Sequence, residues 1–399
     1  MKKFFDTIKL DNLYRLFSKE LSHNRIFGLD ILRFFAITTV IIAHGRFIFP
    51  EKIDDYFKYI IFDGVTIFFV LSGFLIGGIL IKQLENNTLR FSLLLDFWVK
   101  RWFRTLPVYF LILTILTIYY SFADPAFSLG IIKKYYFFCQ NLYYPTPGYF
   151  EESWSLSVEE WFYLTVPLLI FILAAVFKFK PKTSVLITAL AVLFFISFLR
   201  YNIYAEKDLQ RALSFNHQVL YRLDSIMYGV IGAYLSYYYS KLWKSIPLIL
   251  LIVGISIFLI QKFIFVSGIC PDPLHLYNIV FEYSLTSIAT LILLPFLSNL
   301  KKSKYKIGNL ITIISLISYS MYLTHMTLIK GIILKSIPWT DFTTNYHIIL
   351  PVFYFLYWAL TIVFSIMLYK FFEVPTTNLR ERFVFSRKSK TAAIKLNNL

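Results

Sequence analysis

Ten apolar stretches constrain this chain more than any other feature: residues 28–50, 60–82, 105–121, 159–177, 183–200, 216–240, 245–265, 276–298, 308–334 and 347–372. A helix needs roughly 20 residues to cross the hydrocarbon of a bilayer, and each stretch approximately supplies them. Backbone polar groups in lipid must be satisfied within the protein, which makes such runs helices. The expected fold class is therefore all-α integral membrane, with about ten transmembrane helices. A composition of 58% hydrophobic and only 16% charged residues agrees.

The formal net charge of +17 does not gather into one patch. Lys and Arg concentrate in short segments between the spans: LRFSLLLDFWVKRWFR (89–104), KFKPK (178–182), KKSKYK (301–306) and the terminal SRKSK (386–390). That distribution reads as a topology signal, which puts these segments and both termini on the cytoplasmic side. A multi-pass protein of the cytoplasmic (inner) membrane is expected, in contact with lipid and without a nucleic-acid partner. The longest outer loop then runs from 122 to 158 and contains YYPTPGYFEESWS.

Residues 1–27 lack the apolar core and small-residue cleavage site of a signal peptide. Phe4, Phe5, Ile8, Leu13, Leu16, Phe17 and Leu21 recur at roughly helical spacing among basic residues, predicting an amphipathic helix on the cytoplasmic membrane surface. A single membrane domain follows over 28–382, then a basic cytoplasmic tail over 383–399. Cys139 and Cys270 are too few for a disulfide framework and read as two unpaired thiols.

Within this apolar chain the ionisable residues ask for a reason, because charges in hydrocarbon face a protein interior or an aqueous cavity. Arg33 and His44, in GLDILRFFAITTVIIAHG (28–45), are about three turns apart on one helix face, roughly 16 Å along the axis. Imposing the topology sorts the others into two levels. His44, Glu159, Arg222, Asp224 and His325 fall near the outer side; Asp30, Arg33, Lys100, Arg101, Arg104 and Glu373 fall near the inner one. Taken singly, each has a plainer role. Arg33 would snorkel or pair with Asp30, and Arg101 and Arg104 would be positive-inside anchors. His325 would join helices, and Ser72 would pack with Gly73, Gly77 and Gly78 as a small residue.

Jointly the two levels point to a ligand with an anionic head inside and a reactive end reaching outward. Acyl-CoA has that form, with phosphates that suit Arg forks and a flexible arm. His44 would take a proton from a sugar hydroxyl as it attacks the thioester. Glu159 would orient the imidazole, and Arg222 would steady the oxyanion or the acceptor. Asp224, His325 and Trp154 join Arg222 as candidate acceptor-binding residues, and Lys100 joins Arg101 and Arg104 as donor-binding. Tyr143, Tyr144, Tyr149 and Trp154 of the outer loop would hold sugar or anchor at the interface. No metal site is expected, because the histidines lack an H-E-x-x-H spacing and there are two cysteines.

The ordered set GLDILRFFAITTVIIAH, GVTIFFVLSGFLIG (64–77), FWVKRWFRTLP (97–107), WSLSVEEWFYL (154–164), YRLDSIMYG (221–229), ISYSMYLTH (317–325) and FEVP (372–375) resembles the acyltransferase type 3 family. These are integral-membrane O-acyltransferases that modify surface polysaccharides, lipopolysaccharide, peptidoglycan and some small molecules. The resemblance runs from about residue 28 to 382. It implies a ten-helix domain that uses cytoplasmic acyl-CoA, often acetyl-CoA, to acylate a glycan or lipid-linked sugar at the outer face. His44 then looks like the family's essential base, Arg33 its motif partner, Arg101 and Arg104 its donor-binding pair, and Glu159 the acid of the WSL motif.

One departure is Trp161, where relatives often carry Gln. Some relatives also have an outer hydrolase-like domain after the membrane part; here direct transfer, or a separate periplasmic or extracellular partner, is expected to suffice. Alternative readings keep the mechanism with another acyl group or a small secreted metabolite as acceptor. A transporter or flippase, whose charges would line a pathway, predicts flux without acyl-CoA turnover.

Overall fold

A computed structural model describes residues 14–22, 25–125, 127–145, 148–303 and 305–383, and these residues form helices and no strand. The helices that matter for the site are α1 (Phe27–Gly45), α2 (Gly64–Asn86), α3 (Phe91–Ala123), α4 (Trp154–Ala175), α5 (Pro181–Glu206), α6 (Leu223–Tyr238), α7 (Pro247–Val266), α8 (Glu282–Leu297), α9 (Ile307–Thr324) and α10 (Tyr346–Leu368). Among the described residues nine helical stretches are long and apolar enough to cross a membrane. The all-α integral membrane class is therefore what the chain adopts.

The expected sixth span differs. Residues 215–217 and 219–221 form two 3-10 turns, and α6 is left with 16 residues, about 24 Å long. Those turns exist because their polar groups are engaged elsewhere: Val219 N–H donates to the Asn141 carbonyl at 3.0 Å, and the Asn141 amide donates to the His217 carbonyl at 2.6 Å.

A second difference concerns 89–104, expected as an inner loop. From Phe91 on it is the first part of α3, a continuous 33-residue helix about 50 Å long, well beyond the hydrocarbon thickness. Its charges masked a helical stripe: Leu94, Phe97 and Trp98 are buried, and Arg101 and Thr105 continue the same face one and two turns on. The C-terminal end also runs on past α10, through a π turn at Tyr369–Glu373 into Val374–Leu379.

Close helix approach rests on glycine where a side chain would collide with backbone. A Cβ on Gly73 of α2 would stand 1.9 Å from the Ile226 carbonyl oxygen of α6, and one on Gly229 of α6 would stand 2.0 Å from Val70 O of α2. Reciprocal contacts of this kind bring backbones together in membranes, where packing rather than apolar burial drives association. Helix α7, by contrast, fully buries only Gly254; Leu251 and Phe258 are partly buried against a core, and Leu248, Ile249, Ile252, Leu259, Ile260 and Phe263 are exposed, as on a lipid-facing helix.

Four apolar cores result among the described residues, and two of them flank the site. One gathers Ile37 and Ile41 of α1, Val108 and Ile112 of α3, Ile317 and Met321 of α9 and Tyr357 of α10. The other gathers Phe69 and Ile76 of α2, Phe97 of α3, Phe162 and Val166 of α4 and Ile226 and Val230 of α6.

Of the N-terminal segment, residues 1–13, 23 and 24 lie outside the described residues. The described part packs on protein: Phe17 is fully buried and stacks on Tyr369 at 5.8 Å, and Glu20 pairs with Lys370 at 2.6 Å. Nearly all of the expected basic tail, from residue 384 onward, lies outside the described residues. Cys139 and Cys270 are both free thiols.

Candidate active site

A cavity of about 600 Å³ opens between the two cores. It is lined by Arg33 of α1, Val65 to Ile79 on one face of α2, Arg101, Arg104 and Thr105 of α3, Ser155, Glu159 and Tyr163 of α4, Ser315, Ser318, Tyr319 and Tyr322 of α9, and Glu373 with Arg380 beyond α10. Arg101 and Arg104 share a face because they are i, i+3 on one helix. Lys100, one position back, is half-buried and does not line the cavity.

Arg33 is turned toward the cavity because Asp30 is occupied elsewhere. Arg25 holds Asp30 through Nη2 at 2.5 Å and Nε at 3.0 Å, and Ser315 Oγ donates to the same carboxylate at 2.7 Å. The Arg33–Asp30 separation is a looser 3.9 Å. Arg25 also lines the cavity, so the basic group is larger than Arg33, Arg101 and Arg104.

Glu159 belongs with these arginines, which corrects its expected place beside His44. It faces the same cavity and accepts a hydrogen bond from Tyr163 Oη at 3.0 Å; Tyr163 Oη is in turn 2.9 Å from Ser72 Oγ. The physical reason is depth: Glu159 is five residues into α4, roughly 8 Å from its start, below the level expected from a helix that began at Glu159 itself.

His44 is paired instead with His325. Nδ1 of His44 lies 2.8 Å from Nε2 of His325, and the rings stack at a 5.0 Å centroid separation. Lys330 Nζ donates to the His44 carbonyl at 2.8 Å. His325 opens a ten-residue π-helical segment, His325–Leu334, that continues α9. Buried Glu152 grips the start of that segment: its carboxylate accepts from Thr327 N–H at 3.0 Å and from Thr327 Oγ1. Neither histidine lines the cavity. It ends at Tyr322 and Ser155, whose hydroxyls are hydrogen-bonded at 2.6 Å, and the Tyr322 ring stands 5.8 Å from that of His325.

The remaining candidates divide into two buried groups. Asp224 pairs with fully buried Arg200 at 2.7 Å and not with Arg222. Arg222 donates to Thr66 Oγ1 at 2.5 Å, lies 3.7 Å from Asp63, and sits 3.9 Å from the Tyr283 ring centroid. Trp154 joins Arg222 there, 5.7 Å from its guanidinium, and meets His217 at a 4.7 Å centroid separation. Tyr149 is buried, with its hydroxyl 2.7 Å from Thr117 Oγ1, and burial pushes that phenol up to about 12. It is therefore a neutral packing residue; Tyr144 is exposed. Trp161, the departure from the expected Gln, donates its indole N–H to the Phe138 carbonyl at 2.9 Å and does not face the cavity.

Sequence reasoning missed Arg25, Arg200 and Glu152. Arg200, ending an apolar run, carried the usual signal of a charge that needs a buried partner. Glu152 carried none, standing in a loop-like EES ahead of a helix.

Residues 26–370 match the family described as an acyltransferase domain. The chain is 28% identical over 378 residues to the O-acetyltransferase OatA of Staphylococcus aureus, covering 87% of this chain and 56% of that protein. It is 33% identical over 162 residues to the peptidoglycan O-acetyltransferase OatA of Listeria monocytogenes, covering 36% of this chain and 24% of that protein. The chain thus spans about half the length, or less, of these curated relatives, and no solved structure matches it. With the match extending from the start of α1 into the π turn after α10, this multi-pass membrane protein belongs to the acyltransferase type 3 family.

Proposed function

We propose that this chain is a membrane O-acyltransferase that moves an acyl group, acetyl in the leading form, from cytoplasmic acyl-CoA to a hydroxyl of a cell-wall glycan at the outer face. One observation carries the reading: a membrane-embedded cavity has arginines from two helices along it and ends one helical turn short of a histidine pair. From Ser315 to Tyr322 it follows α9 for about 10 Å, the direction a pantetheine arm would take. The relatives' names supply the acetyl group and the peptidoglycan acceptor.

Arg33, Arg101 and Arg104 would hold the donor's phosphates by charge-assisted hydrogen bonds. His44 would take the proton of the acceptor hydroxyl as its oxygen attacks the thioester carbonyl. The tetrahedral intermediate then collapses with cleavage of the C–S bond, and the His44 imidazolium returns its proton to the departing sulfur, which leaves neutral imidazole, CoA thiol and the new ester. Glu159, held by Tyr163 among the arginines, would position the donor rather than orient His44. Arg222 and Trp154 would face the acceptor.

The test is turnover of acetyl-CoA labelled in the acetyl group by protein in liposomes with cell-wall glycan. Label should enter the glycan with wild type and not with His44→Ala, which should still bind donor. Transfer by a folded His44→Ala protein would remove His44 from the mechanism, and label retained on CoA by wild type would overturn the acetyltransferase reading.

A further inference from the structure

The geometry points to His325 as the residue that fixes the tautomer of His44, and we propose that it does so as an uncharged positioning residue. The inference rests on the reading of His44 as the base. His325 Nδ1 lies 2.7 Å from the Tyr322 carbonyl and 3.1 Å from the Met321 carbonyl. Carbonyl oxygens only accept, so Nδ1 carries the proton. A neutral imidazole protonated on Nδ1 has a lone pair on Nε2, and that atom is 2.8 Å from His44 Nδ1. The hydrogen between them therefore belongs to His44 Nδ1, and His44 is left with its lone pair on Nε2. Two backbone carbonyls thus decide which nitrogen of a histidine on another helix acts as base.

The carbonyls are placed by the change from α to π geometry at His325, which leaves Thr327 N–H to Glu152. A carboxylate in the same position would give the same tautomer and add a negative charge beside the imidazolium. His325 accepts the hydrogen bond without bringing a charge into the membrane interior.

The experiment is nitrogen NMR of protein labelled at histidine, with His44 and His325 signals assigned from their single substitutions. In wild type the His44 Nδ1 should show the protonated, pyrrole-type resonance and Nε2 the unprotonated one. His325→Phe, which cannot accept, should move His44 toward the opposite tautomer and lower kcat by about a hundredfold or more, with KM for acyl-CoA little changed. His325→Gln retains an acceptor and should restore part of both. A protonated Nε2 on wild-type His44, or an unchanged His44 tautomer in His325→Phe, overturns the proposal. The wild-type spectrum decides even where the Phe variant does not fold. The proposal and its parent reading fail separately: the expected tautomer with full activity in His44→Ala would remove the base and leave the tautomer assignment standing.

Discussion

Arg101 and Arg104 illustrate how a single side chain is held to a function in a membrane protein. A guanidinium cannot lose its charge under ordinary conditions, so on the proposed function two of them on the wall of the cavity would hold the anionic part of the donor. Substituting both with Ala should raise the Kd for acyl-CoA by about tenfold or more, since hydrogen bonds to charged groups are worth roughly 1.5–3 kcal/mol each. Lys100→Ala, which leaves the cavity wall intact, is the matched control and should change affinity little. Equilibrium binding by calorimetry would show this, and equal affinity in all three proteins would return the arginines to a topological role. At this scale the sequence was legible where a residue stood alone against its surroundings. Arg33 and Glu159 are conspicuous in apolar stretches, Arg101 and Arg104 stand in a basic segment beside one, and all four reach one cavity. Partners were not legible: nothing in the spacing of Asp224 and Arg222, two positions apart, shows that Asp224 pairs with Arg200 across the bundle. A hydrogen-bond partner depends on helix packing, which one-dimensional spacing does not carry.

Among the elements, the α2–α6 pair is the most tightly constrained, and its glycines make a sharp comparison. Gly73→Ala would drive a methyl group into the Ile226 carbonyl, with no side chain able to move aside, and should destabilise by about 1–3 kcal/mol or more. Gly78, one turn further along α2, has no atom within 4 Å of an added Cβ. Its substitution by Ala should be neutral or stabilising by up to about 1 kcal/mol, the helix-propensity difference. Thermal unfolding of the purified variants, followed by circular dichroism, should separate them; equal stability would mean the two helices do not meet at this crossing. The span pattern itself was readable because hydropathy is a local property of each helix. It failed for α3, where a helix longer than the bilayer carries its charges in register with an apolar stripe. It failed again at 216–222, where hydrogen bonds to Asn141 replace helical ones.

For the whole molecule, orientation governs which substrate meets which end of the cavity. The distribution of Lys and Arg predicts both termini inside, and the loop between α7 and α8, which carries Cys270, outside. In a Cys139→Ser background, Cys270 should react with a membrane-impermeant maleimide in intact cells. A cysteine introduced at Ser303, between α8 and α9, should react only after permeabilisation. The reverse pattern would invert the topology and place the arginines on the side away from cytoplasmic acyl-CoA.

The hydrogen bond between Tyr322 and Ser155 has a meaning for the membrane as well as for the reaction. A protein that passes an acyl group from one face to the other is exposed to the hazard of becoming a conduit, through which protons would drain the gradient that the cell maintains. Two hydroxyls in contact on the cavity wall nearest His325 would, on the proposed function, serve as the inner door of an airlock. While they are joined, the chamber with its arginines and the histidine pair beyond it would be separate compartments, and bioenergetic insulation would be kept between turnovers. The thioester itself would then be the key that parts them, so that permeability is granted to cargo and withheld from ions.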